Sequence, residues 1–132
     1  MAAQAMLKTH PSPLAFDDEL AACIAACFDC AQHCSTCADA CLSEEAVAEL
    51  RGCIRTDLDC ADICTATARV LSRQTAFNDS PAATQVKACR DACQKCAQHC
   101  EQHGSQHAHC AQCAKACNEC AAACDRLLGL ID

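Results

Sequence analysis

The sequence predicts an all-α protein, more specifically an antiparallel up-down-up-down four-helix bundle with a cysteine-lined core. Four segments carry apolar residues and cysteines at intervals of three and four, which is the pattern of one buried helix face. Three short turn-forming stretches separate these segments, and short connections favour antiparallel neighbours in a bundle. All 18 cysteines of the 132-residue chain fall on the buried faces of the four segments.

The bundle is expected to occupy residues 16–132, after an N-terminal tail or short extra helix over residues 1–15. A chain of this length suits a single small domain. The two helical hairpins carry equal numbers of cysteines, which is consistent with an ancient duplication. The expected helices cover about 16–42, 44–76, 81–103 and 105–130.

Serine residues mark the expected starts of three helices. Ser43, Ser80 and Ser105 would be the N-cap residues of the second, third and fourth helices. A serine hydroxyl in that position accepts a hydrogen bond from a free backbone N–H of the first turn. Pro81 would then take the first position of the third helix, where its missing N–H has no partner to lose.

The first segment shows the cysteine pattern most clearly, as CIAACFDCAQHCSTCADAC from Cys23 to Cys41. Alternating intervals of four and three are those of the a and d positions of a coiled coil, so the thiols should point into the bundle. Reduced cysteine behaves as a small hydrophobe, and with alanine it can fill a core that has few aromatic residues. The predicted inward-facing cysteines are Cys23, Cys27, Cys30, Cys34, Cys37, Cys41, Cys53, Cys60, Cys64, Cys89, Cys93, Cys96, Cys100, Cys110, Cys113, Cys117, Cys120 and Cys124.

The composition argues against several classes of partner. The formal net charge is −7 and no basic run is present, so nucleic acid is a poor partner. No stretch is long enough to span a membrane, and the N-terminal residues lack the apolar segment of a secretory signal. The expected location is therefore the cytoplasm, where thiols stay reduced.

Inward thiols could form disulfides, an iron–sulfur site, divalent metal sites or Cu(I) sites. Cysteines three or four apart on a helix have Cβ atoms roughly 5–6 Å apart, whereas a disulfide needs about 3.8 Å. The ferredoxin pattern of successive C-x2-C gaps is absent. Metallothionein-like zinc or cadmium buffering is the alternative that we retain, although structural zinc sites use discrete cysteine pairs rather than a continuous column.

Monovalent copper fits a continuous column best, because Cu(I) is a soft ion that selects thiolate ligands. An unpaired buried thiolate is costly, so the metal-free core should hold protonated thiols. Each Cu⁺ can replace one proton without changing the charge of the interior, up to about one ion per cysteine. We therefore predict storage of multiple Cu(I) ions. We do not expect an enzyme, because a reactive thiol needs an exposed position.

The two ends of the expected bundle differ in chemistry. Copper should enter at the end that carries Cys41, Cys53, His103 and His109, where the two histidines are candidate ligands because neutral imidazole binds copper. Asp57 occupies an a position, where it could ligate copper weakly, accept a hydrogen bond or face solvent. The other end should be an apolar plug of Phe16, Leu20, Thr67, Leu71, Val86, Leu127 and Ile131.

Three cysteine runs resemble those of the bacterial four-helix-bundle copper storage proteins, and of their cytosolic branch in particular. They are the run quoted above, CRDACQKCAQHC and CAQCAKACNECAAAC. The resemblance covers the chain from about Phe16 onward. It implies a homotetramer of bundles, each of which holds many Cu(I) ions through cysteine thiolates. It also implies storage or sequestration rather than catalysis.

Overall fold

Five α-helices and one short 3-10 helix make up the computed structural model, which describes residues 2–132. These residues contain no β-strand, in agreement with the predicted all-α class. Among them, no helix combines the length and the apolar character needed to cross a membrane. In chain order the helices are α1 (Ala2–Lys8), α2 (Asp17–Leu42), the 3-10 helix (Val47–Leu50), α3 (Arg51–Leu71), α4 (Asp79–His103) and α5 (Ala108–Ile131).

The four long helices surround one core. Helices α2 and α4 each contact both α3 and α5, and the short α1 packs on α2. Between α2 and α5, sulfur contacts join Cys23 to Cys124 and Cys37 to Cys110, so residue number rises along one helix as it falls along the other. Cysteine and alanine supply most of the buried residues, as the composition predicted.

The second bundle helix is shorter than the expected range of 44–76. Ser43 does not start it but ends α2, because its backbone N–H closes the last turn on the carbonyl oxygen of Ala40 and the N–H of Glu44 bonds that of Cys41. The chain then turns through the 3-10 helix, and α3 begins only at Arg51. The predicted serine cap is therefore wrong here, since the backbone N–H groups of Ser43 and Glu44 complete the end of α2 and lie well before the start of α3.

The starts of α4 and α5 also differ from the expected serine caps. Asn78, not Ser80, precedes α4, and Pro81 therefore lies third in the helix. Proline is tolerated there because the N–H groups of a first turn have no partner within the helix. His107, not Ser105, precedes α5 and has an extended backbone, so the α4–α5 turn is longer than predicted.

Apolar side chains close one end of the core, as predicted. Leu20, Leu71, Val86 and Leu127 are fully buried at this end. Thr67 is buried among them, and its hydroxyl donates to a backbone carbonyl oxygen one turn earlier in α3 at 2.7 Å. This bond satisfies the only polar group that Thr67 brings into the plug.

Gln74 ties the N-terminal segment to this closed end, a contact that the sequence did not predict. Its buried side chain donates from Nε2 to the carbonyl oxygen of Leu7 at 3.0 Å. Its Oε1 accepts the backbone N–H of Leu14 at 2.9 Å. His10 adds a contact of 2.9 Å between its Nε2 and the hydroxyl of Thr75. Together these bonds fasten α1 and the loop that follows it to the α3–α4 turn.

Ala76 in the α3–α4 turn has a left-handed backbone, with φ of 52°. This conformation costs an L-residue with a Cβ roughly 1–2 kcal/mol, and glycine avoids that cost. We expect Ala76→Gly to leave the stability of the reduced, metal-free protein unchanged or to raise it by about 1 kcal/mol, measured by urea unfolding followed by far-UV circular dichroism. The starting spectrum should be helical.

The matched control is Ala66→Gly, at an exposed position inside α3. Glycine in a helix interior costs about 1 kcal/mol relative to alanine, so this variant should be less stable than the parent. Equal losses in both variants would contradict the strained backbone of Ala76, and a coil spectrum for the parent would contradict a helical metal-free protein.

Candidate metal centre

A column of free thiols fills the centre of the bundle. All 18 cysteines are unpaired and at most 2% exposed. Sulfur atoms approach along one helix, as Cys30 and Cys34 do at 3.8 Å. They also approach between helices, as Cys64 and Cys93 do at 3.6 Å. The inward orientation predicted from the heptad pattern is therefore confirmed for every cysteine.

Thiols from different helices converge in groups of four that could hold metal ions. Within each group the four sulfur atoms all lie within 4.8 Å of one another. Neighbouring groups share members, notably Cys30, Cys34, Cys117 and Cys120, so the column is a series of overlapping sites. These groups are Cys27/Cys89/Cys120/Cys124, Cys30/Cys64/Cys93/Cys120, Cys30/Cys34/Cys60/Cys117 and Cys34/Cys96/Cys113/Cys117.

Burial opposes the ionisation of these thiols. Removal from water raises the pKa of Cys41 to about 12 and that of Cys110 to about 11, because a thiolate loses its solvation inside the bundle. Both residues lie at the histidine end of the column. A soft cation that takes the place of the proton would restore neutrality around the sulfur.

Asp57 interrupts the column on α3 and is fully buried. Its Oδ1 accepts thiol hydrogen bonds from Cys96 at 3.0 Å, Cys113 at 3.3 Å and Cys100 at 3.6 Å. Burial raises the pKa of the Asp57 carboxyl to about 8, against the opposing effect of the bond from Cys96. The hydrogen-bonded alternative is thus confirmed and the solvent-facing one is wrong.

The second carboxyl oxygen of Asp57 has a different environment. Its Oδ2 is buried and has no hydrogen-bond partner among residues 2–132. An unsatisfied buried oxygen of this kind is costly unless another group or an ion approaches it. The carboxyl is therefore chemically able to serve as an oxygen ligand within the column.

His109 meets the column at its polar end. Its Nδ1 lies 3.4 Å from the sulfur of Cys37 and 3.6 Å from that of Cys110. With Cys41 these residues form a further group whose ligand atoms lie within 4.8 Å of one another. The predicted association of His109 with the thiols is therefore present in the structure.

His103 is the last residue of α4, at the same end of the bundle, and is half-buried. A hydrogen bond with Cys100, and to a smaller degree the nearby charge of His103, lower the pKa of Cys53. The role of His103 as a copper ligand stays a prediction.

The sequence reasoning missed Glu44 as part of this end. Its Oε2 lies 2.7 Å from Nδ1 of His107, and its Oε1 lies 3.6 Å from Nε2 of His109. The two imidazole rings stack with centroids 5.6 Å apart and an angle of 25° between their planes. The signal in the sequence was weak, since Glu44 and the histidines belong to different turns far apart in the chain.

Solved structures of a copper storage protein, Ccsp, from Streptomyces lividans are close matches. A form loaded with 10 copper equivalents matches with a TM-score of 0.94 and 46% identity, over 96% of this chain and 98% of that chain. A cytosolic copper storage protein from the same organism, with five coppers, matches with a TM-score of 0.84 and 50% identity, over 85% of this chain and 93% of that chain. Comparison with curated protein sequences gives no match.

A sequence profile extends the comparison from single relatives to a family. The profile of the copper storage protein family, Csp, matches residues 16–129. That range contains all the cysteines of the column, together with Asp57, His103 and His109. By this match, and by its identity with the S. lividans protein, the chain belongs to the copper storage protein family.

Proposed function

We propose that this protein stores Cu(I) inside the bundle, at about one ion per cysteine. The observation that carries the proposal is the continuous column of overlapping four-sulfur groups. Exchange of H⁺ for Cu⁺ at each thiol leaves the charge of the interior unchanged, so filling one site does not oppose filling the next. The S. lividans relative, described as loaded with 10 copper equivalents, supports copper as the metal.

The proposed ligands come from all four long helices. Cysteine thiolates supply most of them, a carboxylate oxygen contributes within the column, and imidazole nitrogens contribute at its polar end. The full set is Cys23, Cys27, Cys30, Cys34, Cys37, Cys41, Cys53, Cys60, Cys64, Cys89, Cys93, Cys96, Cys100, Cys110, Cys113, Cys117, Cys120, Cys124, Asp57, His103 and His109.

The helices run up-down-up-down in this proposal. Support comes from the sulfur pairs between α2 and α5 and from a second series between α3 and α4, where Cys53 contacts Cys100 and Cys64 contacts Cys89. In both series, rising numbers on one helix meet falling numbers on the other. Residues 16–132 act as the storage unit, and residues 1–15 cover its closed end.

Copper enters and leaves at the end that carries His103 and His109. The closed end is sealed by fully buried leucine and valine side chains and by the N-terminal segment that Gln74 holds. The polar end offers imidazole nitrogens next to the first thiols of the column. An ion bound there would pass first to Cys37 and Cys110, whose sulfur atoms lie 3.9 Å apart beside His109, and then to deeper thiols of the column.

The proposed setting is the cytoplasm, as for the cytosolic S. lividans relative, and the proposed assembly is a homotetramer. Free thiols in every position suit a reducing compartment. Exposed apolar side chains such as Phe28, Leu58 and Leu130 provide surface for contacts between chains. We assign no catalytic role, because each thiol is buried rather than poised at the surface.

Titration with Cu(I) tests the storage proposal directly. The reduced protein should bind about one Cu⁺ per cysteine in competition with a chromophoric Cu(I) chelator under anaerobic conditions, with release of protons. Light scattering of the same material should give the mass of four chains. Saturation after one or two equivalents of Cu(I) would contradict the proposal. Binding of zinc but not copper, with saturation near one divalent ion per two thiols, would favour divalent buffering.

Removal of the imidazole ligands should affect rate more than capacity. We expect His103→Ala combined with His109→Ala to slow Cu(I) uptake while most of the capacity remains, because the thiol column is intact. The measurement is stopped-flow uptake from a Cu(I)–chelator complex. His33→Ala is the matched control, since that imidazole contacts Asp29 of its own helix and not the thiols. An uptake rate equal to that of the parent would remove both histidines from the uptake path.

Asp57 gives a pH-dependent prediction for the metal-free protein. Its folded pKa of about 8 exceeds its ordinary value, so the folded state holds a proton that the unfolded state releases between about pH 4 and pH 8. The stability that the proton on Asp57 contributes to the folded state is present at low pH and is lost as pH rises through that window. Asp57→Asn lacks the titration, so its unfolding free energy relative to the parent should rise from pH 5 to pH 8, by at most about 1.4 kcal/mol per pH unit.

Parallel stability profiles of the two proteins would show that Asp57 does not carry the proton. The ligand role of Asp57 has a separate readout in Asp57→Ala, which should lose about one Cu(I) per chain from the capacity. Full capacity in that variant would take Asp57 out of the ligand set while leaving the cysteine column in place.

A further inference from the structure

We propose that Glu44 is a positioning residue that orients the His107 and His109 rings, and fixes their tautomers, for copper uptake. The role of Glu44 in copper uptake rests on the proposed function. The orientation of the two rings does not, because it belongs to the metal-free protein. Glu44 follows α2, whereas both histidines lie beyond α4, so its carboxylate links two turns at the same end of the bundle.

The first observation is the short contact with His107. The 2.7 Å separation between Nδ1 of His107 and Oε2 of Glu44 is a charge-assisted hydrogen bond, in which Nδ1–H donates to the carboxylate. Only 13% of the His107 side chain is exposed, whereas the Glu44 side chain is 33% exposed, so the pair is partly sheltered from water. A neutral imidazole has one N–H, and a proton held on Nδ1 leaves the lone pair of Nε2 free to bind a metal.

The second observation concerns the nitrogen of His109 that faces away from the thiols. Nδ1 of His109 points to Cys37 and Cys110, so that nitrogen needs its lone pair to act as a copper ligand. The proton must then sit on Nε2, which is buried without a hydrogen-bond partner among residues 2–132. Oε1 of Glu44 lies 3.6 Å away, and a movement of about half an ångström would let it accept that N–H.

The third observation is the stacking of the two rings, which makes their orientations interdependent. With centroids 5.6 Å apart and planes 25° from parallel, a carboxylate that fixes His107 also restricts the rotation of His109. Carboxylates that accept the remote N–H of a metal-binding imidazole set its tautomer and orientation in many metal sites. Here one carboxylate would serve two imidazoles, an outer one and one that touches the thiol column.

The test begins without copper. Long-range ¹H–¹⁵N spectra of the reduced, metal-free protein in mildly alkaline buffer report the tautomer of each histidine. The parent should show His107 protonated on Nδ1 and His109 protonated on Nε2. Glu44→Ala should return His107 toward the Nε2–H tautomer that free imidazole favours. A parent His107 protonated on Nε2, or an unchanged His107 in Glu44→Ala, would overturn the proposal whether or not the protein stores copper.

Two further variants separate orientation from simple loss of structure. Glu45→Ala removes the neighbouring exposed carboxylate and should leave both tautomers as in the parent. Glu44→Gln keeps the shape of the side chain and one acceptor oxygen. His107 should therefore keep its Nδ1–H tautomer, whereas His109 should no longer be held in the Nε2–H tautomer. Thermal unfolding of each metal-free variant shows whether the bundle remains intact.

Copper uptake provides the second readout. In stopped-flow experiments Glu44→Ala should take up the first Cu(I) equivalents about tenfold more slowly than the parent, with the final capacity unchanged. An unchanged rate in Glu44→Ala would overturn the uptake role of Glu44. Failure of the parent to store copper would instead overturn the proposed function, because the parent titration is independent of Glu44.

Discussion

The requirement that buried sulfur be electrically neutral governs this structure. Eighteen thiols lie out of contact with water, and burial raises the pKa of Cys41 and Cys110 so that their protonated form is favoured. A protonated thiol behaves as a small hydrophobe, so it can pack with alanine into a helical core. The same atom becomes a soft ligand once the proton leaves. One residue type therefore supplies both the core of the bundle and the proposed binding sites, provided that each proton lost is replaced by a single positive charge.

The two ends of the bundle divide the remaining tasks. Large aliphatic side chains would obstruct the sulfur column, so they are concentrated at the closed end, where Leu20, Leu71 and Leu127 are fully buried. The polar end has imidazoles and a carboxylate instead, next to the first thiols. Among the described residues 2–132, Asp57 is the one acidic group that is buried, and three thiols donate to it. The polarity of the interior thus changes along the axis of the bundle.

The sequence allowed the cysteine seams, the all-α class and the apolar plug to be predicted, because each depends on side-chain periodicity within a single helix. The helix starts at Arg51, Asp79 and Ala108 were not predictable from serine positions, since the path of each turn decides which backbone groups need partners. The contacts of Gln74 and Glu44 join segments distant in sequence, and no local pattern encodes them. For Asp57, only the packing of three neighbouring thiols decides between the alternatives that its heptad position left open.

A column that opens at one end only imposes an order on its contents. Thiols from facing helices meet at the polar end of the column, where Cys37 lies 3.9 Å from Cys110, and at its inner end, where Cys23 lies 3.9 Å from Cys124 and the plug begins. Under the proposed function, the ions admitted earliest travel deepest and must wait for later arrivals to depart. The store would then behave as a stack, in which the last ion deposited is the first withdrawn. The most exchangeable copper would always be the fraction nearest the histidines, and the deepest fraction would serve as a slow reserve.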